Sequence, residues 1–223
     1  MSVGWRCRIK QALKEIALFG GSFDPPHEAH RRLLASIHEH FQFDKIWIVP
    51  SKFPPGKMPT ADFSDRLRWT QNTFSLPPYE VSDLEANSSH TIFAKDIIYR
   101  LQLQQPEAQY FWILGEDQWE QLPYWKNVDD YASRLIWIVM GRSRANKSPF
   151  KSSRLLSRRL LKSSCSYIWA DIELMTEISS TAIREWIMEE GLKPQDDKLK
   201  KSLPETIRDD VYLCYQNLKK ANN

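Results

Sequence analysis

The order of this chain predicts a doubly wound α/β domain, and three features of its pattern carry that expectation. Short apolar runs rich in β-branched and aromatic residues recur along most of its length. Segments of helical period separate them, and beyond about residue 175 only helical patterns remain. Continuous apolar strands alternating with helices require a mostly parallel sheet covered on both faces.

Taken in order, strands are expected at 16–19 (IALF), 46–49 (IWIV), 79–84 (YEVSDL, weaker), 110–114 (YFWIL), 135–140 (LIWIVM) and 167–169 (YIW). Helices are expected at 27–41, where Leu33, Leu34, Ile37 and Phe41 share one side, and at 62–74, 91–104, 152–162, 180–190 and 204–219. The stretch GLKPQDDKLKKSLPE between the last two reads as a polar linker with helix-breaking prolines. One domain over 1–223 follows, with a core at about 14–175 and a helical part at about 176–223. In such a sheet ligands sit beyond the carboxyl ends of the strands where the winding reverses, so the loops Gly20 to His27 and Gly115 to Trp125 should flank one crevice.

Composition narrows the class. With 223 residues, 42% hydrophobic and 26% charged, the chain can enclose one substantial core. No apolar run approaches the roughly 18 residues of a membrane span, and the opening MSVGWRCRIKQALKE is too polar and broken for a secretory signal. The expectation is a cytoplasmic protein. Cys7, Cys165 and Cys214 lie far apart without CxxC spacing, which points to reduced thiols rather than a disulfide framework or a zinc site. A net charge of +3 suits an anionic small molecule as well as weak nucleic-acid contact. The stretch 141–164 concentrates Lys and Arg without an acid, and reads either as solvated surface or as a basic flap facing an anion.

Chemistry concentrates in two stretches. In ALFGGSFDPPHEAH, Gly20 and Gly21 directly follow a buried strand, where missing side chains let the backbone turn and a phosphate approach the N–H groups. Neither GxxxxGK(S/T) nor GxGxxG is present. Pro25 and Pro26 lead into a helix, placing His27 at its N-terminus and His30 on the same face. Two imidazole donors beside the positive end of a helix dipole favour an anion. His38 and His40 on the same segment keep open the plainer reading of a His-rich surface, while the missing HExxH spacing argues against zinc. The second stretch, EISSTAIREWI, sets Ser179, Ser180 and Thr181 ahead of an amphipathic helix with Arg184 one turn inside. Capping explains one hydroxyl well and three in a row less well, so a second polyphosphate cradle is expected there.

GGSFDPPHxxH together with ISSTAIR resembles the nicotinate-nucleotide adenylyltransferase family, within the nucleotidyltransferases marked by an HxGH-type motif. The resemblance continues through IWIVPSKFPPGK, VSDLE, ILGEDQWEQLPYWKNV and LPETIRDDVYLCYQNL, nearly end to end. It implies a Rossmann-like sheet with C-terminal helices that joins ATP to nicotinate mononucleotide, giving deamido-NAD and pyrophosphate with Mg²⁺ held mainly by the ATP phosphates. Position by position, it implies His27, His30, Lys57 and Arg184 as the charge-stabilising donors. Gly20, Gly21, Ser22 and Phe23 would form the backbone cradle, and Ser179, Ser180 and Thr181 further ATP contacts. Thr91, Asp117, Trp125 and Lys126 fall on the mononucleotide side, Trp125 as the ring stacking on the pyridine. The chain departs from the family at Ala29, in place of the motif glycine, at Gly56, where a histidine is usual, and at Ala94, where a second threonine is common.

Rival readings differ in kind. A nicotinamide-mononucleotide or dual-specific adenylyltransferase differs only in the pyridine substituent. A pantetheine-phosphate adenylyltransferase would share the histidines, but ISSTAIR and the Trp125 loop argue against it. A nucleic-acid binder could use 141–164, yet nine Trp scattered along the chain, four of them inside expected strands, suit a core better than stacking platforms. A catalytically inactive nucleotide sensor is disfavoured because both phosphate motifs are complete. Neither nucleic acid nor membrane is an expected partner, and homo-oligomerisation is left open.

Overall fold

A computed structural model describes residues 13–142, 150–155, 165–172 and 178–221. Its strands are β1 (Glu15–Gly21), β2 (Lys45–Pro50), β3 (Tyr79–Val81), β4 (Gln109–Gly115), β5 (Ile136–Arg142), β6 (Phe150–Leu155) and β7 (Cys165–Ile172). The helices are α1 (Glu28–Phe41), α2 (Phe63–Thr73), α3 (Ala94–Gln104), α4 (Glu116–Gln121), α5 (Ser180–Met188), α6 (Asp197–Ser202) and α7 (Glu205–Ala221). The strands form one sheet in the order β3-β2-β1-β4-β5-β7-β6. Every neighbouring pair is parallel except β6 with β7, so a Rossmann-like doubly wound sheet carries one antiparallel edge. The winding reverses between β1 and β4, whose registered ends leave a crevice above Gly20 and Gly115.

The apolar runs make strands because both of their faces are buried. Ile16 and Leu18 of β1 join a core with Ile98, Trp112, Leu114 and Trp137 on one side. Ala17 and Phe19 join Phe111, Ile113 and Ile138 with Leu34 and Ile37 of α1 on the other. A third core unites α2 with the C-terminal helices, packing Trp69 with Ile183, Ile187, Leu199, Leu203, Val211 and Tyr215. The Asp210 carboxylate pins that seam, accepting from Trp69 Nε1 at 2.9 Å and from Arg68 Nη2 at 2.7 Å.

Three expectations need correction. The helix expected at 152–162 is instead strand β6 over Phe150–Leu155, paired antiparallel with β7 from Phe150↔Ala170 to Leu155↔Cys165. The leucine spacing there mimics a helical period, and a distant partner strand decides the matter. Residues 156–162, and with them much of the basic stretch, lie outside the described residues. The linker contains α6, whose buried Leu199 fastens it to the third core. The segment after β4 is not a plain loop either: α4 and three short 3-10 turns fill Glu116 to Arg134.

Arg66 ties the loops after β1 and β2 together. It is 1% exposed, on the face of α2 shared with Trp69, Thr70 and Thr73. Its guanidinium donates to the carbonyls of Ser22 (2.6 Å), Ser51 (2.7 Å), Lys52 (3.3 Å) and Ala61 (3.1 Å). A lysine ammonium has three donors on one atom for four acceptors reached from three separate nitrogens, so Arg66→Lys leaves buried carbonyls unpaired. Chemical denaturation should register a loss of about 2 to 4 kcal/mol.

Candidate active site

Residues 20–27 reverse the chain between β1 and α1, and their conformation is specific. Gly21 lies where an added Cβ would come within 3.2 Å of the Phe23 ring. Phe23 takes a left-handed backbone (φ 50), a conformation costly for a bulky residue, and buries its ring against Phe19 (centroids 5.7 Å) and His30 (5.3 Å). Asp24 is joined to Pro25 by a cis peptide bond. The chain thereby delivers His27 as the extended N-cap of α1, with His30 one turn on.

The two imidazoles stack at 3.7 Å with planes 22° apart. The His27 backbone N–H donates to His30 Nδ1 at 3.3 Å, which puts the proton of the neutral His30 ring on Nε2 as a donor. His27 is buried, and its Nδ1 has no hydrogen-bond partner. Burial, and secondarily the neighbouring His30, hold His27 well below the usual histidine range; burial alone lowers His30 to about 4. Both rings therefore wait neutral at pH 7.

The second cradle is the start of α5. Its three hydroxyls have three separate jobs. Ser179 Oγ caps the helix by accepting from Ala182 N at 3.1 Å, Ser180 Oγ donates to the Pro25 carbonyl at 2.8 Å, and Thr181 Oγ1 accepts from Arg184 Nη2 at 3.2 Å. Helix geometry leaves the Ser180 and Thr181 N–H groups without intrahelical acceptors. Arg184 also donates through Nη1 to the Asp24 carbonyl at 2.6 Å. The two motifs, distant in sequence, are thus bonded to each other.

Between them lies a cleft of about 1000 Å³. Its lining includes Gly20, Gly21, Ser22, Phe23, His30, Lys57, Asp117, Ser179, Ser180, Thr181 and Arg184, so the crevice expected beyond β1 and β4 is where these residues meet. Asp117 folds back over Gly115, where a Cβ would stand 2.6 Å from its Oδ1. His27 lies behind His30 rather than on the wall. Thr91, Trp125 and Lys126 do not line this cleft. Trp125 is half-buried, edge-on to Trp112 (6.1 Å) and Trp137 (6.2 Å). Lys126 sets its ammonium 4.4 Å from the Phe93 ring centroid, so the Trp125 segment and the segment of Thr91 do adjoin.

Two residues that hold the site escaped the sequence reading: Arg66 and Asp24. Asp24 is 4% exposed; Oδ1 accepts from Tyr215 Oη (2.9 Å) and Ala61 N (3.1 Å), and Oδ2 from Thr60 N (2.7 Å). Glu85, buried and with its pKa raised by desolvation, accepts from Lys52 N at 2.7 Å and so shapes the loop that carries Lys57. The usable signals were an acid inside an apolar Phe-Pro-Pro context and an arginine on an apolar helix face.

A doubly wound sheet with a cleft of this lining at its switch point has the architecture in which nucleotides bind. Residues 18–186 match the model of the cytidylyltransferase-like family, and the chain belongs to that family and, within it, to the nicotinate-nucleotide adenylyltransferases. A probable nicotinate-nucleotide adenylyltransferase of Bacillus pumilus is 30% identical over 88% of this chain and 97% of that one. The nicotinate-nucleotide adenylyltransferase of Bacillus subtilis is 28% identical over 86% and 97%. Among solved structures, the Plasmodium falciparum nicotinic acid mononucleotide adenylyltransferase complexed with NaAD has the same fold, at a TM-score of 0.69, 21% identity and coverage of 93% and 98%.

The neutral histidines make stability depend on pH. Between pH about 6.5 and 4 the unfolded chain binds a proton that the folded His30 refuses, so stability is full above that window and falls as pH drops through it. Solvent reaches His30 through the cleft, which limits the loss to about 1 to 3 kcal/mol. His30→Gln should flatten this part of a denaturation-versus-pH profile; a slope matching wild type would remove His30 as its source.

Proposed function

We propose that the chain transfers the adenylyl group of ATP to nicotinate mononucleotide, releasing pyrophosphate and forming deamido-NAD. The observation that carries this is one cleft lined by the N-terminus of α5, His30, Lys57 and Arg184 together with Glu116, Asp117 and Glu120. The cationic groups suit a triphosphate and the carboxylates suit sugar hydroxyls, Asp117 being the residue we assign to a ribose.

In the reaction, an oxygen of the mononucleotide's 5′-phosphate attacks the α-phosphorus of ATP and the bond to the β-phosphate oxygen breaks. The attacking phosphate is already an anion, so no general base is needed; positioning and charge neutralisation remain. Fixing two reactants in line supplies about 7 to 11 kcal/mol, and a donor aimed at developing charge about 3 to 4. His30 Nε2 and Arg184 serve as such donors, Lys57 reaches in from its exposed loop, and the N–H groups of Ser180 and Thr181 receive phosphate oxygens. His27 and the turn of Gly20 to Phe23 support them.

Magnesium fits as a companion of the substrate. No group of three or more His, Cys, Asp or Glu side chains among the described residues is disposed to hold a metal, and both Asp24 oxygens already accept protein donors. Bound to the triphosphate, Mg²⁺ would stabilise the leaving pyrophosphate. No helix among the described residues is long and apolar enough to cross a membrane, and Cys165 and Cys214 are free thiols, which supports the cytoplasmic reading.

Acid should be preferred over amide. A carboxylate only accepts hydrogen bonds, whereas a carboxamide presents donors that mispair with N–H groups at about 1 to 3 kcal/mol each. Pyrophosphate release measured with both mononucleotides should give a kcat/KM at least about tenfold higher for the acid. A ratio near one would mark a dual-specific enzyme. In the same assay His30→Ala should lower kcat/KM by about 10² or more, and His38→Ala, outside the cleft, should not.

A further inference from the structure

Tyr215 belongs to the last helix and lines no part of the cleft, yet it touches the turn that does. Its ring is fully buried 5.8 Å from Trp69, and its hydroxyl donates to Asp24 Oδ1 at 2.9 Å. Burial first, and then the Asp24 charge, push the phenol well above the ordinary tyrosine range, so it is a fixed donor.

The Asp24 carboxylate is consequently crowded with donors. Tyr215 and Ala61 N take Oδ1, and Thr60 N takes Oδ2. Arg184 stands off, with Nη1 3.5 Å from Oδ2, and bonds the Asp24 carbonyl at 2.6 Å instead. Closed carboxylate–guanidinium pairs sit nearer about 2.8 Å and tend to be bidentate. Here the other donors keep the pair open, and the guanidinium faces the cleft.

We propose that Tyr215 is a positioning residue for ATP. By occupying Asp24 Oδ1 it prevents the carboxylate from turning onto Arg184, and so leaves that guanidinium presented to the triphosphate. The inference rests on the adenylyl-transfer reading and deepens it.

Tyr215→Phe keeps the ring and removes only the hydroxyl. It should raise the KM and the equilibrium Kd for ATP about five- to thirtyfold and lower kcat with them, because Arg184 also meets the developing charge, while the KM for the mononucleotide stays within about twofold. In an Arg184→Lys background the same change should add almost nothing, because the group it acts through is gone. Asp210→Asn loosens α7 at Trp69 and Arg68 without touching Asp24, so it should lower the melting temperature and leave the KM for ATP in place. An unaltered KM in Tyr215→Phe, an additive effect on Arg184→Lys, or an equal KM increase from Asp210→Asn would each overturn the proposal. A wild-type chain that binds no ATP would overturn the adenylyl-transfer reading, whereas intact wild-type binding that Tyr215→Phe does not weaken overturns this inference alone.

Discussion

A single buried carboxylate joins four separate parts of this chain. Asp24 takes hydrogen bonds from Thr60 and Ala61 ahead of α2 and from Tyr215 of α7, while its own carbonyl receives Arg184 of α5. A carboxylate this enclosed is costly unless its oxygens are filled. The requirement works in both directions: the C-terminal helices supply two of the partners that hold the turn, and those helices dock against a polar point as well as an apolar face. The third hydrophobic core gives their attachment its strength, and Asp24 gives it a register.

That arrangement explains why the two phosphate motifs form one site although more than 150 residues separate Asp24 from Arg184, as the sequence span of their hydrogen bond shows. Ser180, bonded to the Pro25 carbonyl, repeats the link from the other end of the turn. Arg66 performs the equivalent service beneath, gathering carbonyls of Ser22 and Ser51 from the ends of two neighbouring strands. Backbone groups that would otherwise be buried unpaired are met by Arg66 and by the Asp24 carboxylate, neither of which takes part in the chemistry, which frees the glycines, the start of α5 and His30 to face the cleft.

What could be read in advance follows from how local each cause is. Runs such as Ile16 to Phe19 and Tyr110 to Leu114 announce strands because burial on both faces demands continuous apolar residues. Gly21 and Ser179 announce the cradles because a close approach and an N-cap each demand a residue type at that position. β6 was illegible because its identity depends on β7, and α6 because one buried leucine in a polar run leaves no periodic trace. Asp24 and Arg66 were illegible as anchors for a related reason: their partners are mostly backbone atoms of remote segments, and backbone atoms leave no mark on a sequence. The segment of Trp125 looks like a plain loop in the sequence because its 3-10 turns are too short to leave a period, and those turns fold the indole against Trp112 and Trp137.

The histidines show how the empty cleft is matched to its proposed ligand. Stacked at 3.7 Å under a largely apolar cover, the two rings cannot both carry charge, and burial keeps each neutral. A buried ring nitrogen without a partner, as at His27 Nδ1, costs about 1 to 3 kcal/mol in the absence of ligand. A triphosphate in the cleft would act on the exposed part of this balance: its negative charge would favour protonated imidazole, and its oxygens would meet His30 and the positive end of α5, while His27, behind His30, stays out of reach. A neutral nucleoside lacks that charge. On this reading the cleft discriminates by density of negative charge before any base or pyridine is recognised, and the exposed Lys57 adds attraction at longer range without bearing the cost of burial.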